Sequence, residues 1–165
     1  MRCDECGYDY NEVAREEVAS RIRAFGPRYA ELLAGHSADR LRVRPSPDVW
    51  SPLEYACHIR DVFLTQRSRL AVALEEDTPV FTPMGRDRLV TERRYNEQEP
   101  DAATRELAAA ADELASAFES LPEAGWARTG IYTYPTREER TLEWVGRHTI
   151  HEGEHHVMDI DRQLR

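Results

Sequence analysis

The segment WSPLEYACHIRDVFLTQRSRLAVALEE constrains the fold of this chain more than any other. Ser51 can cap a helix, Pro52 suits its first position because the missing N–H would be unpaired there anyway, and Glu54 completes a capping box. No breaker follows until the helix ends near Asp77, and Ile59, Phe63, Leu70 and Leu74 fall on one side of it. A helix of this length with one apolar side must bury that side against other elements.

Three further segments supply candidates. Val18, Ile22, Phe25, Tyr29 and Leu32 step by four and three, and the Gly26-Pro27 pair inside that run predicts a kink or two abutting helices. A proline-broken connection, RVRPSPDVW, follows. In DAATRELAAAADELASAFESL the residues Leu107, Ala111, Leu114, Phe118 and Leu121 repeat the pattern until Pro122 ends it. A last helix runs from about Thr141 to Gln163. Between these two, PEAGWARTGIYTYPTREER predicts a loop with a short extended piece. The chain therefore reads as all-α, a four-helix bundle with long connecting loops. Those loops, about twenty residues each, exceed the two to eight usual for bundle turns, and long loops in a compact domain carry function.

The 165 residues suit one domain, 1–165, with residues 1–10 as an N-terminal extension carrying a CxxC pair. Net charge is −9, every basic residue is arginine, and these are scattered among acids, so nucleic acid is not an expected partner. No apolar run reaches a membrane span, and MRCDECGYDY lacks the basic start and apolar middle of a secretion signal; a cytoplasmic protein is expected. Three cysteines do not make a disulfide framework and fit a reducing compartment.

HTIHEGEHH, residues 148–156, holds four of the six histidines. At about 100° per residue, His148, His151 and His155 share a sector of roughly 60°, with Trp144, Met158 and Arg162 extending the same face. A second stripe of Gly146, Ile150, Gly153, Val157, Ile160 and Leu164 lies nearly opposite. Buried imidazoles must satisfy a donor and an acceptor each, and a divalent ion relieves this by taking the lone pairs. His151 and His155, four apart, can share one ion. A third ligand must come from elsewhere, and His36 sits in a predicted turn, whereas His58 lies near the start of the capped helix. The expected metal set is His58, His151 and His155, with open positions for water or substrate; spacing alone does not choose between His148 and His155.

VWSPLEYACHIRDV, followed far downstream by TLEWVGRHTIHEGEHHVMDI, resembles the DinB-like superfamily, which includes thiol-dependent S-transferases, mycothiol-dependent enzymes among them. The resemblance covers nearly the whole chain from about Val13. It implies a four-helix bundle with a long crossover, often dimeric, and a divalent ion held by one histidine of the second helix and two of the fourth. Residue by residue these are His58, His151 and His155, and the resemblance implies that His148 and His156 are not ligands. Asp61, Glu152 and Glu154 are carboxylates that could fix a ligating ring or simply be solvated; none is assigned a catalytic role. Cys3 and Cys6 have the spacing of half a zinc knuckle with no second CxxC to complete it. A cross-subunit site, or a terminus folded back onto the histidine-bound ion, would be needed. Cys57 reads as a small buried hydrophobe.

Three functions compete. The first is a metal-dependent transferase that attaches or exchanges a low-molecular-weight thiol, mycothiol being one candidate, on an electrophilic small molecule, because an ion with an open position lowers the pKa of a bound thiol. The second is a metal-dependent hydrolase working by activated water. In the third, a non-catalytic stress-response module, the ion is structural, as cysteines closing the sphere around the histidine-bound ion would indicate. Zinc is the first choice of ion, and three imidazoles also accommodate nickel, iron or copper. The pocket wall is expected from TPVFTPMG and GIYTYPT, and the second apolar stripe of the last helix is compatible with a homodimer or with packing inside one chain.

Overall fold

Each of the four apolar stripes becomes a helix in the computed structural model, which describes residues 1–133 and 136–165. In chain order the helices are α1 (Val18–Leu33), α2 (Ala38–Leu41), α3 (Pro52–Glu75), α4 (Arg86–Glu92), α5 (Pro100–Glu119) and α6 (Leu142–Leu164). The capping box forms as its residues dictate: the Glu54 N–H donates to Ser51 Oγ and the Ser51 N–H to the Glu54 carboxylate. Arg44 pairs with that same buried carboxylate, which satisfies the charge left after capping.

Packing fixes a specific arrangement. α1 and α3 each pack against α5 and α6, so α1 stands diagonally from α3, and α5 from α6. The first and second long helices, and likewise the third and fourth, are thus opposed across the core, and the connections before α3 and before α6 must cross an end of the bundle. The buried interior is built from Phe25, Tyr29, Phe63, Leu70, Leu107 and Phe118 among others. α6 turns Gly146 and Gly153 toward α1, where an added Cβ would meet Val18 Cγ1 at 2.7 Å and the Phe25 ring at 2.4 Å. The second stripe of α6 therefore packs inside the chain.

Two sequence expectations need amendment. α1 is one continuous helix through Pro27, which lies on the exposed face; there water can take the Arg23 carbonyl that lost its N–H partner. Its last buried residue is Leu33, with Leu32 half-buried, and on α3 Ala73 is buried whereas Leu74 is 40% exposed.

The connection from α5 to α6 carries a hairpin, β1 (Thr129–Tyr132) against β2 (Glu138–Thr141), antiparallel with Thr129 opposite Thr141. The Phe81 and Ile131 N–H groups bond Ile131 O and Pro79 O, which lays TPVFTPMG alongside the hairpin. Both expected wall segments are thereby brought together, although Tyr134 and Pro135 of GIYTYPT lie outside the described residues. Residues 1–17 fold back along α6: Tyr8 Oη donates to Arg147 O, and Arg147 Nε donates to Val13 O. Among the described residues no helix is long and apolar enough to cross a membrane.

Candidate metal centre

His58 is the seventh residue after Ser51 on the capped helix, and its side chain enters the core with only 3% of its surface exposed. Neither of its ring nitrogens has a hydrogen-bond partner among the described residues. An imidazole in that state forfeits a donor and an acceptor, a loss of about 1–3 kcal/mol for each unsatisfied group. Burial holds its pKa down to about 3, with His156 adding to the effect, so the ring is neutral and keeps a lone pair available.

The rings and carboxylate facing it come from α6. His156 is buried, its ring 5.1 Å from that of His58 and nearly perpendicular to it. Its Nδ1 bonds Asp159 Oδ2 at 2.8 Å, which fixes the proton on Nδ1 and leaves the Nε2 lone pair free. That Nε2 lies 4.0 Å from Glu152 Oε2. One ligand atom each from His58, Glu152 and His156 fall within 4.8 Å of one another. Burial opposes ionisation of Glu152, but His148, His156, His58 and His151 together outweigh it and hold the carboxyl below its ordinary value. Two imidazole lone pairs and a carboxylate around a point lacking any other partner are a fitting donor set for a divalent ion.

The expected set of His58, His151 and His155 is divided by this geometry. His151 and His155 are together, but their cluster is completed by Cys3 and Cys6, each offering an atom within 4.8 Å of the others. The cause is helical phase: residues 152 and 156 sit about 100° round the axis from 151 and 155, and the former pair faces α3. His156, set aside by the family resemblance, is turned to His58, and Glu152 occupies the place expected of a histidine. The signal that would have found them is the Glu152/His156 spacing of four, taken together with Asp159 three residues beyond His156. Asp61 serves a different purpose, bonding Arg60, Arg93 and Tyr95 Oη away from the rings. Cys57 is fully buried and its thiol is pushed up to about 12 by burial, as suits a packed hydrophobe.

His148 lies between the two clusters. Its ring stacks on Trp144 with centroids 4.5 Å apart, its Nε2 is 3.8 Å from Glu152, and its Nδ1 is 2.9 Å from Tyr10 Oη. His58, His148 and Glu152 border a cavity of about 560 Å³, whose wall includes Tyr10, Trp144 and Tyr132. Arg69, Arg86, Arg88 and Arg140 also line it, beside Asp87 and Glu138. Two donors at this wall, Arg69 Nε and Trp144 Nε1, are buried without hydrogen-bond partners among the described residues.

The sequence profile of the DinB superfamily matches residues 21–160, and the chain belongs to that superfamily. Among solved structures it is similar to YfiT from Bacillus subtilis, described as a probable metal-dependent hydrolase with an unusual four-helix bundle topology. That likeness has a TM-score of 0.85 at 15% identity, over 94% of this chain and 91% of YfiT. It is also similar to a mycothiol-dependent maleylpyruvate isomerase, with a TM-score of 0.74 at 15% identity, over 93% of this chain and 63% of the isomerase, less than two thirds of that protein. At such identities the likeness establishes the fold. No curated protein sequence matches the chain.

Proposed function

We propose that this protein is a metal-dependent enzyme whose ion is held by His58, Glu152 and His156, and that it transfers a low-molecular-weight thiol to an electrophilic small molecule bearing an anionic group. The observation that carries the metal reading is the buried, doubly unpartnered ring of His58 facing His156 and Glu152 at the edge of a cavity. A divalent ion there supplies Lewis acidity, lowering the pKa of a nucleophile brought against it so that the reactive anion forms near neutral pH.

The remaining roles belong to the chain. Among the described residues lining the cavity there is no serine, cysteine or lysine, which agrees with a thiol nucleophile that enters from solution. The proton of an entering thiol would pass to solvent; His148, hydrogen-bonded to Tyr10 Oη, borders the cavity beside Glu152. The free Arg69 Nε–H and Trp144 Nε1–H can orient an anionic or carbonyl group on the electrophile. At about 560 Å³ the cavity lies within the 300–1,000 Å³ common for small-molecule sites. The isomerase of similar fold, mycothiol-dependent by description, supports a thiol as the nucleophile.

Hydrolysis is the second reading. Two histidines with one carboxylate is a donor set that zinc peptidases use to activate water, and YfiT is described as a probable metal-dependent hydrolase. Cobalt-substituted protein separates the two. Under thiol transfer, a cellular thiol shifts the visible spectrum and consumption of a model electrophile depends on that thiol. Turnover without thiol would establish hydrolysis instead. If neither thiol nor water supports turnover and Glu152→Gln leaves cobalt binding unchanged, the metal-enzyme reading fails.

A further inference from the structure

The CxxC pair belongs to no part of the site just described, yet its surroundings are built for an ion. Cys3, Cys6, His151 and His155 each offer an atom within 4.8 Å of the others, all four half-buried and both cysteines free. Cys3 Sγ lies 3.7 Å from His155 Nδ1. A tetrahedral zinc with Zn–S of about 2.3 Å and Zn–N of about 2.05 Å separates sulfur from nitrogen by about 3.6 Å. His151 Nε2 is buried and has no partner.

The backbone around the cysteines is shaped to aim both sulfurs one way. The Gly7 N–H donates to Cys3 O, and the Cys3 N–H donates to Tyr8 O. Gly7 takes a φ of +75°, which lets the chain turn sharply after Cys6. Tyr8 then stacks on His151 with centroids 5.3 Å apart. From these observations we propose that Cys3, Cys6, His151 Nε2 and His155 Nδ1 bind a structural zinc ion, which clasps the N-terminal segment to α6 and so fixes one wall of the cavity. Two sulfurs and two imidazoles select zinc and leave no position open, which marks the site as structural. Two thiolates neutralise the ion, and binding releases their two protons to solution.

This clasp reaches the cavity through a single hydroxyl. Tyr10 Oη stands 2.9 Å from both His148 Nδ1 and His151 Nδ1. A hydroxyl has one proton to donate. Zinc on His151 Nε2 leaves the proton on Nδ1, which donates to Tyr10 Oη; Tyr10 then donates to His148 Nδ1, and the His148 proton is left on Nε2, the nitrogen nearer Glu152. Helix α6 thus presents 151 and 155 to one ion and 152 and 156, one step round, to the other site.

The test is metal content and cobalt absorption of the full-length, untagged chain purified under reductant. Wild type is expected to hold a zinc equivalent that survives Glu152→Ala/His156→Ala and is lost from Cys3→Ser/Cys6→Ser. Cobalt-loaded wild type and the first variant should show thiolate-to-cobalt charge-transfer absorption in the near ultraviolet, and the cysteine variant should not. Absence of that absorption in wild type, or unchanged metal content in Cys3→Ser/Cys6→Ser, overturns the proposal. Should the cysteine variant fail to fold, the wild-type spectrum and the reactivity of its thiols decide: zinc-loaded protein whose Cys3 and Cys6 alkylate as fast as after chelation contradicts the clasp.

Discussion

His151 and Glu152 are adjacent in the chain and face different clusters, and this one-residue difference decides which groups face His58. Sequence spacing draws attention to His58 on the capped helix and to ligand pairs four residues apart on the last one, which the helix repeat brings to one side. It could not give the phase, since 148/152, 151/155 and 152/156 are all pairs of potential ligands four apart. Glu152 was passed over because a helical glutamate is ordinarily a solvated charge. The state of His58 has consequences for stability. In metal-free protein its folded pKa of about 3 lies below the ordinary 6.5, so the unfolded chain takes up a proton that the fold refuses. The contribution is complete above pH 6.5 and is lost as pH falls toward 3. Metal-free His58→Leu should therefore melt no lower than wild type at neutral pH and lose less stability on acidification, as seen by circular dichroism. In a Cys3→Ser/Cys6→Ser background, which lacks the second cluster, a saturating ion should stabilise the protein that keeps His58, by about 2.7 kcal/mol at a free concentration one hundred times Kd, and not its His58→Leu variant. A His58→Leu protein stabilised equally by the ion would exclude His58 as a ligand. Asp159→Asn, which keeps the shape but weakens the hold on His156 Nδ1, should lower metal affinity about 10–100-fold in a competitive chelator titration.

Among the elements, α6 is the most demanding, with one face on α1, one on α3 and one under the N-terminal segment. Gly153 allows the Phe25 ring to lie against the helix backbone, and Tyr29 Oη donates to Gly153 O. Gly153→Ala gains helix propensity of about 1 kcal/mol but forces an aromatic ring from a packed position. A net loss of about 1–3 kcal/mol is expected in urea unfolding; an increase in stability would show that α1 and α6 are less tightly packed than described. Element boundaries were legible where local chemistry fixes them, as at Ser51, Pro52 and Glu54. They were not legible where tertiary contact decides: α4, seven residues after Gly85, is too short for periodicity to register, and Pro27 is tolerated only because its face of α1 meets water.

At the scale of the whole molecule, four apolar stripes implied a bundle but not the neighbours of each helix, because a stripe records that a face is buried and not against what. The diagonal placement of α1 and α3 required the coordinates, as did the meeting of TPVFTPMG with the hairpin. The chain carries a net charge of −9, yet four arginines border its cavity. Small anions should therefore be held at the cavity although the surface as a whole repels them, and Arg69→Ala should weaken such binding in calorimetric titration while leaving metal content unchanged; equal binding by the variant would remove Arg69 from the site. The face that α6 turns to α3 can be examined with an anomalous-difference map from crystals of the metal-loaded protein. A peak is expected within about 2.1 Å of a ligand atom of each of His58, Glu152 and His156. A peak joining His58 to His151 and His155, or none within ligating reach of His58, would contradict that ligand set.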